Sequence, residues 1–192
     1  QAVALDPTSQ EPKLALANFL FASQRGPEAE ATLKEILTKE PTHLLANRML
    51  AAIYVSSRRV AEAEQPLKVI AEASDAPAAR FQLADYYLAV GRTNEAVGLL
   101  TSLAKDPANA GEAELRLSAL DYAGNRVTEA HTRLDALLAR SPNYAAALVM
   151  KSQWLTKENK LDEALQRAKA AVAAEPQSAA AQFALAAVHE RR

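Results

Sequence analysis

The chain has no cysteine and few glycine or aromatic residues, and these shortages restrict its fold and chemistry. Without cysteine it can form no disulfide and offers no thiolate as metal ligand or nucleophile. Aromatic residues make up 5% of its 192 residues and Gly occurs 5 times, whereas Ala fills 44 positions. Strands favour β-branched and aromatic residues, and Ala has the highest helix propensity, so the composition predicts an all-α protein.

Neither sign of charge is in excess. Lys and Arg total 22 against 23 Asp and Glu, a formal net charge of -1. We therefore expect no nucleic-acid partner, because phosphate binding needs a surplus of cations. No stretch reaches the roughly 18 apolar residues of a membrane span, so we expect no direct membrane insertion and a soluble, bacterial cytoplasmic or periplasmic protein. The sequence does not decide between these compartments.

A repeat of 33 to 34 residues runs along the chain. The dipeptide Glu-Ala recurs with its alanine at 34-, 33-, 34- and 34-residue intervals, and several prolines keep the same spacing. These alanines are Ala29, Ala63, Ala96, Ala130 and Ala164. If the repeats are numbered from Gln10, Leu44, Pro77, Gly111 and Ala145, position 7 is Leu in four of five copies, position 8 is Ala or Ser, and position 24 is Leu in four. Such spacing predicts one buried stripe per helix.

Each repeat is predicted to form two helices joined by a tight turn. First helices are expected near 10–23, 43–56, 77–90, 110–123 and 144–157, and second helices near 28–39, 60–73, 94–105, 127–140 and 161–174, with a last helix near 178–190. Residues whose side chains can cap a helix lie at or just before the expected start of each first helix. These are Thr42, Asp75, Asn109, Asn143 and Ser178.

With Leu at position 7, a small residue at 8, Tyr at 11 in two copies, Ala at 20 and Leu at 24, the repeat resembles that of the tetratricopeptide repeat (TPR) family. The resemblance implies a right-handed α-solenoid, or superhelix, of antiparallel helix pairs. It gives a single array over 1–192, with repeats at about 10–43, 44–76, 77–110, 111–144 and 145–178 and a terminal helix at 179–192. Gln1–Pro7 would be the tail of an earlier repeat, so we expect a segment of a longer array.

Three positions depart from the repeat pattern. Pro66 falls inside a predicted second helix, where we expect a kink. Lys151 replaces the Leu of position 7, which predicts either a rotated helix or a Lys stem that packs while its ammonium reaches solvent. Trp154 nearby is either a packing residue or an anchor for a partner. Asp121 replaces the Tyr of position 11 and predicts a local phase shift of the helix.

Catalytic and metal-binding patterns are missing from the sequence. His43, His131 and His189 lie far apart in the chain, and no H-E-x-x-H, G-x-S-x-G or phosphate-binding glycine motif occurs. We therefore expect no enzyme activity, no catalytic residue, no metal and no cofactor.

The face of the first helices opposite their packing stripe is expected to line a groove for a partner. The resemblance implies that such a groove holds a peptide or a helix. The candidate partner-binding residues are Asn18, Arg48, Met49, Gln82, Asp85, Arg116, Tyr122 and Gln153. Arg48 is the one charged residue in an otherwise apolar row, and it or Arg116 would pair with an acidic partner or with Asp85.

We expect a non-enzymatic scaffold for protein–protein interaction. The alternative is a structural spacer within a larger bacterial assembly or an export or secretion protein. End-to-end self-association of the array is a further possible contact.

Overall fold

A computed structural model describes residues 10–192 of the chain, and this part is built from α-helices with one short 3-10 helix. No strand occurs within these residues. The helices are α1 (Glu11–Ala22), α2 (Gly26–Lys39), α3 (Leu44–Ser56), the 3-10 helix (Val60–Ala63), α4 (Glu64–Ala73), α5 (Pro77–Ala89), α6 (Thr93–Leu103), α7 (Pro107–Ala123), α8 (Val127–Arg140), α9 (Ala145–Lys157), α10 (Leu161–Ala174) and α11 (Ala179–Arg191). The all-α prediction is confirmed, and Gln1–Pro7 lies outside the described residues.

The chain divides into two compact units, Gln1–Leu99 and Leu100–Arg192. In the first unit, α1 packs on α2 and α3 on α4; in the second, α7 packs on α8 and α9 on α10. The fold is thus an all-α solenoid of helix pairs. The division into five repeats stays a prediction.

The packing positions named from the sequence form the cores of the helix pairs. All five alanines at position 20 are fully buried, which lets the paired helices approach closely. Position 24 is also buried in every repeat, by Leu33, Leu67, Leu100, Leu134 and Ala168. Position 7 is buried in four repeats, and the exception is Leu16 of α1, which is 41% exposed.

Each helix pair is joined by the same turn. The residue at position 15 has a positive φ in all five turns, and these residues are Gln24, Arg58, Gly91, Asn125 and Asn159. The next amide donates to the carbonyl five residues earlier, as in Arg59 N to Tyr54 O at 2.8 Å, which is the Schellman closure of a helix. Only one of the five is Gly, so the left-handed residue is hard to predict from composition.

Four of the five predicted helix caps were wrong, by one to three residues. Ser178 caps α11 as expected, and its Oγ accepts from Ala181 N. At α3, however, His43 Nδ1 is the acceptor instead of Thr42, and α7 begins early, at Pro107, behind the carboxylate of Asp106. Neither Asp75 nor Asn143 is an N-cap; Ala76 and Tyr144 occupy these places. Pro favours the first helical turn, which explains the early start of α7 at Pro107, whereas α5 starts at Pro77 as predicted.

The second helix of the repeat that contains Pro66 is interrupted by a change of helix type just before this residue. The segment Val60–Ala63 is a 3-10 helix, and α4 begins at Glu64, so Pro66 lies in the first turn of α4. An amide in the first turn has no intrahelical acceptor, so the missing proline N–H costs little there. The expected kink is therefore a helix junction.

Asp121 causes no phase shift, contrary to the expectation. It stays in register at position 11, and its carboxylate accepts from Arg126 Nη2 at 2.7 Å and Arg133 Nε at 3.0 Å. In two earlier repeats the same turn Arg lies over the Tyr of position 11, with Arg59 4.8 Å from the Tyr54 ring centroid and Arg92 4.6 Å from that of Tyr87. The Asp–Arg ion pair of the fourth repeat replaces a cation–π contact.

Glu30 ties two neighbouring repeats together. Its carboxylate, on α2, accepts from Arg59 Nη1 at 2.6 Å and pairs with Lys34 Nζ at 2.7 Å. The hydrogen bond from Arg59 is the main cause that lowers the pKa of Glu30 to about 2 from its ordinary 4.5. Glu64 is held in the same way by Arg92 and Lys68.

We predict that Glu30 makes the protein sensitive to acid. Because its folded-state pKa is lowered, its contribution to stability, about 1 to 3 kcal/mol, is present above pH 4.5 and is lost as the pH falls towards 2. Glu30→Gln should therefore lower the free energy of unfolding at neutral pH and flatten its pH dependence in that window, measured by urea denaturation at several pH values. The control is Glu40→Gln, at an exposed carboxylate without an ion pair in residues 10–192. Equal pH slopes for wild type and Glu30→Gln would contradict the prediction.

Candidate functional site

The predicted partner-binding residues lie on the first helices, and most of them face solvent. Exposed are Asn18, Arg48, Gln82, Asp85 and Gln153, while Met49, Arg116 and Tyr122 are half-buried. Exposure alone does not make a site, so the shape of the surface around them decides which of them can act together.

Three of these residues share one cavity in the first unit. Helices α3, α4 and α5 enclose a recess of about 610 Å³, called here the α3–α5 recess, and the exposed Arg48, Gln82 and Asp85 lie along it. Its floor includes the buried side chains of Leu67 and Ile70 from α4. Asn18 and Met49 belong to the same unit but are not among the described residues that line the recess.

The walls of the recess are apolar; two of their alanines, Ala52 and Ala89, were expected in the groove from the sequence, but their larger side chains were not. The walls include Ala52 and Val55 of α3 and Tyr86 and Ala89 of α5. Val55 is 53% exposed, so its side chain is accessible from solvent. A comparison of side-chain size at position 12 could have found it, because that position holds Phe21, Val55, Leu88, Tyr122 and Thr156.

Charge at the recess is provided by Arg48 and Asp85. Within residues 10–192, Arg48 has no ion-pair partner, whereas Asp85 has an interaction of its own. An exposed guanidinium beside an apolar floor can hold a carboxylate through paired hydrogen bonds. In the second unit, Arg116 already pairs with Glu112, at 2.8 Å.

Tyr122 and Trp154 pack on each other in the second unit. Their rings are stacked with centroids 4.3 Å apart and planes 6° apart, and Trp154 is only 6% exposed. Of the two roles considered for Trp154, the structure shows the packing role. The role of Tyr122 in partner binding stays a prediction, since much of its ring is used in this stack.

Lys151 is buried. One expectation was that its ammonium reaches solvent, and the structure shows that it does not. Its Nζ lies 2.8 Å from His131 Nδ1 and 2.8 Å from a carboxylate oxygen of Asp135. A carboxylate and an imidazole on the neighbouring α8 compensate the buried ammonium for its lost hydration, so the helix keeps its register.

His131 bridges Lys151 and Glu158. Since its Nδ1 faces an ammonium, that nitrogen accepts, and Nε2 donates to Glu158 Oε1 at 2.6 Å. Burial raises the pKa of Glu158, but the hydrogen bonds from His131 and Lys160 outweigh burial and hold that pKa below its ordinary value. Both ring nitrogens of His131 are thus engaged in hydrogen bonds to neighbouring side chains. Across residues 10–192 no three His, Cys, Asp or Glu side chains form a group that could hold a metal ion.

Further hollows lie elsewhere on the two units and have more charged linings. One of about 630 Å³ is lined by Lys68, Glu72, Arg80 and Glu95, and one of about 450 Å³ by Glu114, Glu129, Arg133 and Arg140. Each has two acidic and two basic lining residues, and the larger is also lined by apolar residues such as Leu83 and Leu99. The charged residues that line the α3–α5 recess are Arg48 and Asp85. None of the helices in residues 10–192 has the length and apolar character needed to cross a bilayer.

Paired helices, a common turn and an exposed first-helix face define a helical-repeat protein. The family model for the tetratricopeptide repeat matches residues 1–42. This match covers the first 42 residues, and the solved structures described next share the fold of the chain as a whole.

Several solved structures, among them TPR proteins, share the fold over most of the chain. YrrB, described as a TPR protein with an unusual peptide-binding site, is 17% identical, with a TM-score of 0.59 over 95% of each chain. A thermophilic TPR protein of Thermus thermophilus is 17% identical, with a TM-score of 0.60 over 95% of this chain and 100% of that one. PilW, a type IV pilus biogenesis factor, is also 17% identical, with a TM-score of 0.58 over 95% of this chain and 90% of its own. No curated protein matches the chain.

Proposed function

We propose that the chain is a non-enzymatic interaction scaffold that holds a segment of a partner protein on the exposed face of its first helices. The observation that carries this proposal is the α3–α5 recess, an apolar cavity along which Arg48, Gln82 and Asp85 lie. Apolar clefts with a few converging polar groups are the usual form of a binding site. The similarity of the fold to YrrB, a TPR protein with a peptide-binding site, supports the same function.

The proposal assigns separate tasks to the parts of the site. The apolar floor supplies most of the affinity, and Arg48, Gln82 and Asp85 select the partner through charge and hydrogen bonds. Asn18 and Met49 would extend the contact within the first unit, and Arg116, Tyr122 and Gln153 are proposed as contacts of the second unit. None of these roles requires a cofactor or nucleic acid.

A peptide selection with charge-reversed variants tests the proposal. Random peptides displayed on phage are selected on the wild-type protein, and the affinities of the enriched peptides are measured by fluorescence anisotropy at low salt. Arg48→Glu should weaken binding by about tenfold or more, because it removes an attractive charge and adds a repulsive one. The matched control is Arg80→Glu, which makes the same change at an exposed Arg of α5 outside the recess.

The outcomes separate the two functions considered for this chain. If the enriched peptides lose affinity with Arg48→Glu and keep it with Arg80→Glu, the result supports partner binding in the groove. If no peptide is enriched, or if Arg48→Glu has no more effect than the control, the groove is not a binding site and a spacer role is left.

A further inference from the structure

The α3–α5 recess lies where an aromatic side chain fills the equivalent space in the second unit. Val55, at position 12, and Tyr86, at position 10 of the next repeat, both line the recess. The residues at the same two positions in the pair α7 and α9 are Tyr122 and Trp154. These two rings stack at 4.3 Å, whereas Val55 is far smaller than Tyr122 and leaves the space beside Tyr86 open.

A second substitution opens the same space. At position 5 other first helices carry apolar residues that pack inward, such as Phe81 at 5% exposure and Val149 at 8%. On α3 this position is Arg48, which is exposed and lines the recess. An apolar side chain is thus replaced by a cation beside an apolar recess.

We infer that the α3–α5 recess takes an aromatic side chain of the partner segment, and that a carboxylate next to this ring pairs with Arg48. The inference rests on the proposed function and names the chemistry of the partner, an acidic residue close to an aromatic one. The partner's ring would occupy the place that Tyr122 occupies in the second unit. Charge complementarity supports the carboxylate, because Arg48 has no ion-pair partner within residues 10–192.

Small probes test the recess without knowledge of the partner. The first probe is 4-hydroxyphenylacetate, which joins the tyrosine ring to a carboxylate. Tyramine keeps the ring and reverses the charge, and cyclohexylacetate keeps the charge and loses the aromatic ring. Binding is followed through the amide resonances of Ala52, Gln82 and Ala89 in two-dimensional ¹H–¹⁵N NMR spectra. We expect 4-hydroxyphenylacetate to bind most tightly, with the other two weaker by up to about tenfold each.

A self-filling substitution provides the matched variant. Val55→Tyr installs in α3 the residue that α7 carries at position 12, so it should close the recess and abolish binding of 4-hydroxyphenylacetate without lowering the melting temperature. Val90→Tyr makes the same change just after α5, outside the recess, and should bind the probe like wild type. If Val55→Tyr does not fold, Ala52→Leu narrows the same wall and should weaken the probe in the same direction.

The outcomes distinguish the inference from the function on which it rests. Equal binding of the three probes, or binding that survives Val55→Tyr in a folded protein, overturns the inference. If selected peptides lose affinity with Arg48→Glu but keep it with Val55→Tyr, the groove function stands and the inference fails. If the probe binds as expected but no peptide is enriched, the aromatic site stands and the proposed function fails.

Discussion

Trp154→Ala is expected to lower the free energy of unfolding by about 3 to 5 kcal/mol. The substitution removes the stack on Tyr122 and the edge contact with His131, whose ring centroid lies 5.5 Å away at an interplanar angle of 83°. It also leaves a cavity in a core that contains Leu134, Leu148 and Ala184. Since neighbouring helix pairs bury each other's apolar surface, a defect here weakens the interface between repeats as well as one helix.

Urea denaturation followed by circular dichroism measures this loss. Fluorescence cannot serve for the comparison, because Trp154 is the only Trp of the chain. Trp154→Phe is the control, since it retains an aromatic ring against Tyr122 and should cost clearly less. A change below about 1 kcal/mol for Trp154→Ala, the size typical of an average substitution, would mean that this ring is not a core residue.

The helices and their cores could be predicted because the same pattern of packing residues recurs in five copies of the repeat. Ala at position 20 and a buried residue at position 24 recur in every copy, so one irregular copy does not hide the period. Lys151 shows the limit of this reasoning. Its burial depends on Asp135 and His131, which lie 16 and 20 residues earlier on a different helix. Periodicity identifies which face of a helix is buried, but not the partners across the contact.

The candidate site was predicted in part, for a related reason. The exposed face of the first helices follows from helical geometry, and Arg48 was recognisable as the exception in an apolar row. The recess itself depends on a space that side chains leave empty, and its floor comes from α4, a second helix. The helical phase predicts on which face a residue lies, but not how much space the side chains leave between them. Val55 and Tyr86 therefore became candidates only with the structure.

Leu134→Ala is expected to lower the free energy of unfolding by about 2 to 5 kcal/mol. Leu134 occupies position 24 on α8, is fully buried, and belongs to the same core as Leu137, Leu138 and Leu148. Closely packed neighbours can fill the lost volume only in part, so the loss exceeds the transfer free energy of the missing methyl and methylene groups. The melting temperature should fall by about 2 to 4 °C for each kcal/mol in a chain of this size.

The matched control for this substitution is Leu45→Ala, on α3. Leu45 is 51% exposed, so the same change of side chain should alter the free energy of unfolding by no more than about 0.5 kcal/mol. The difference between the two variants then measures burial at position 24, because the change of helix propensity and of side-chain size is the same in both. If the two variants have the same melting temperature, position 24 does not form the core of the helix pair. The alignment of the repeats, in which Val55 is equivalent to Tyr122, then loses its main support.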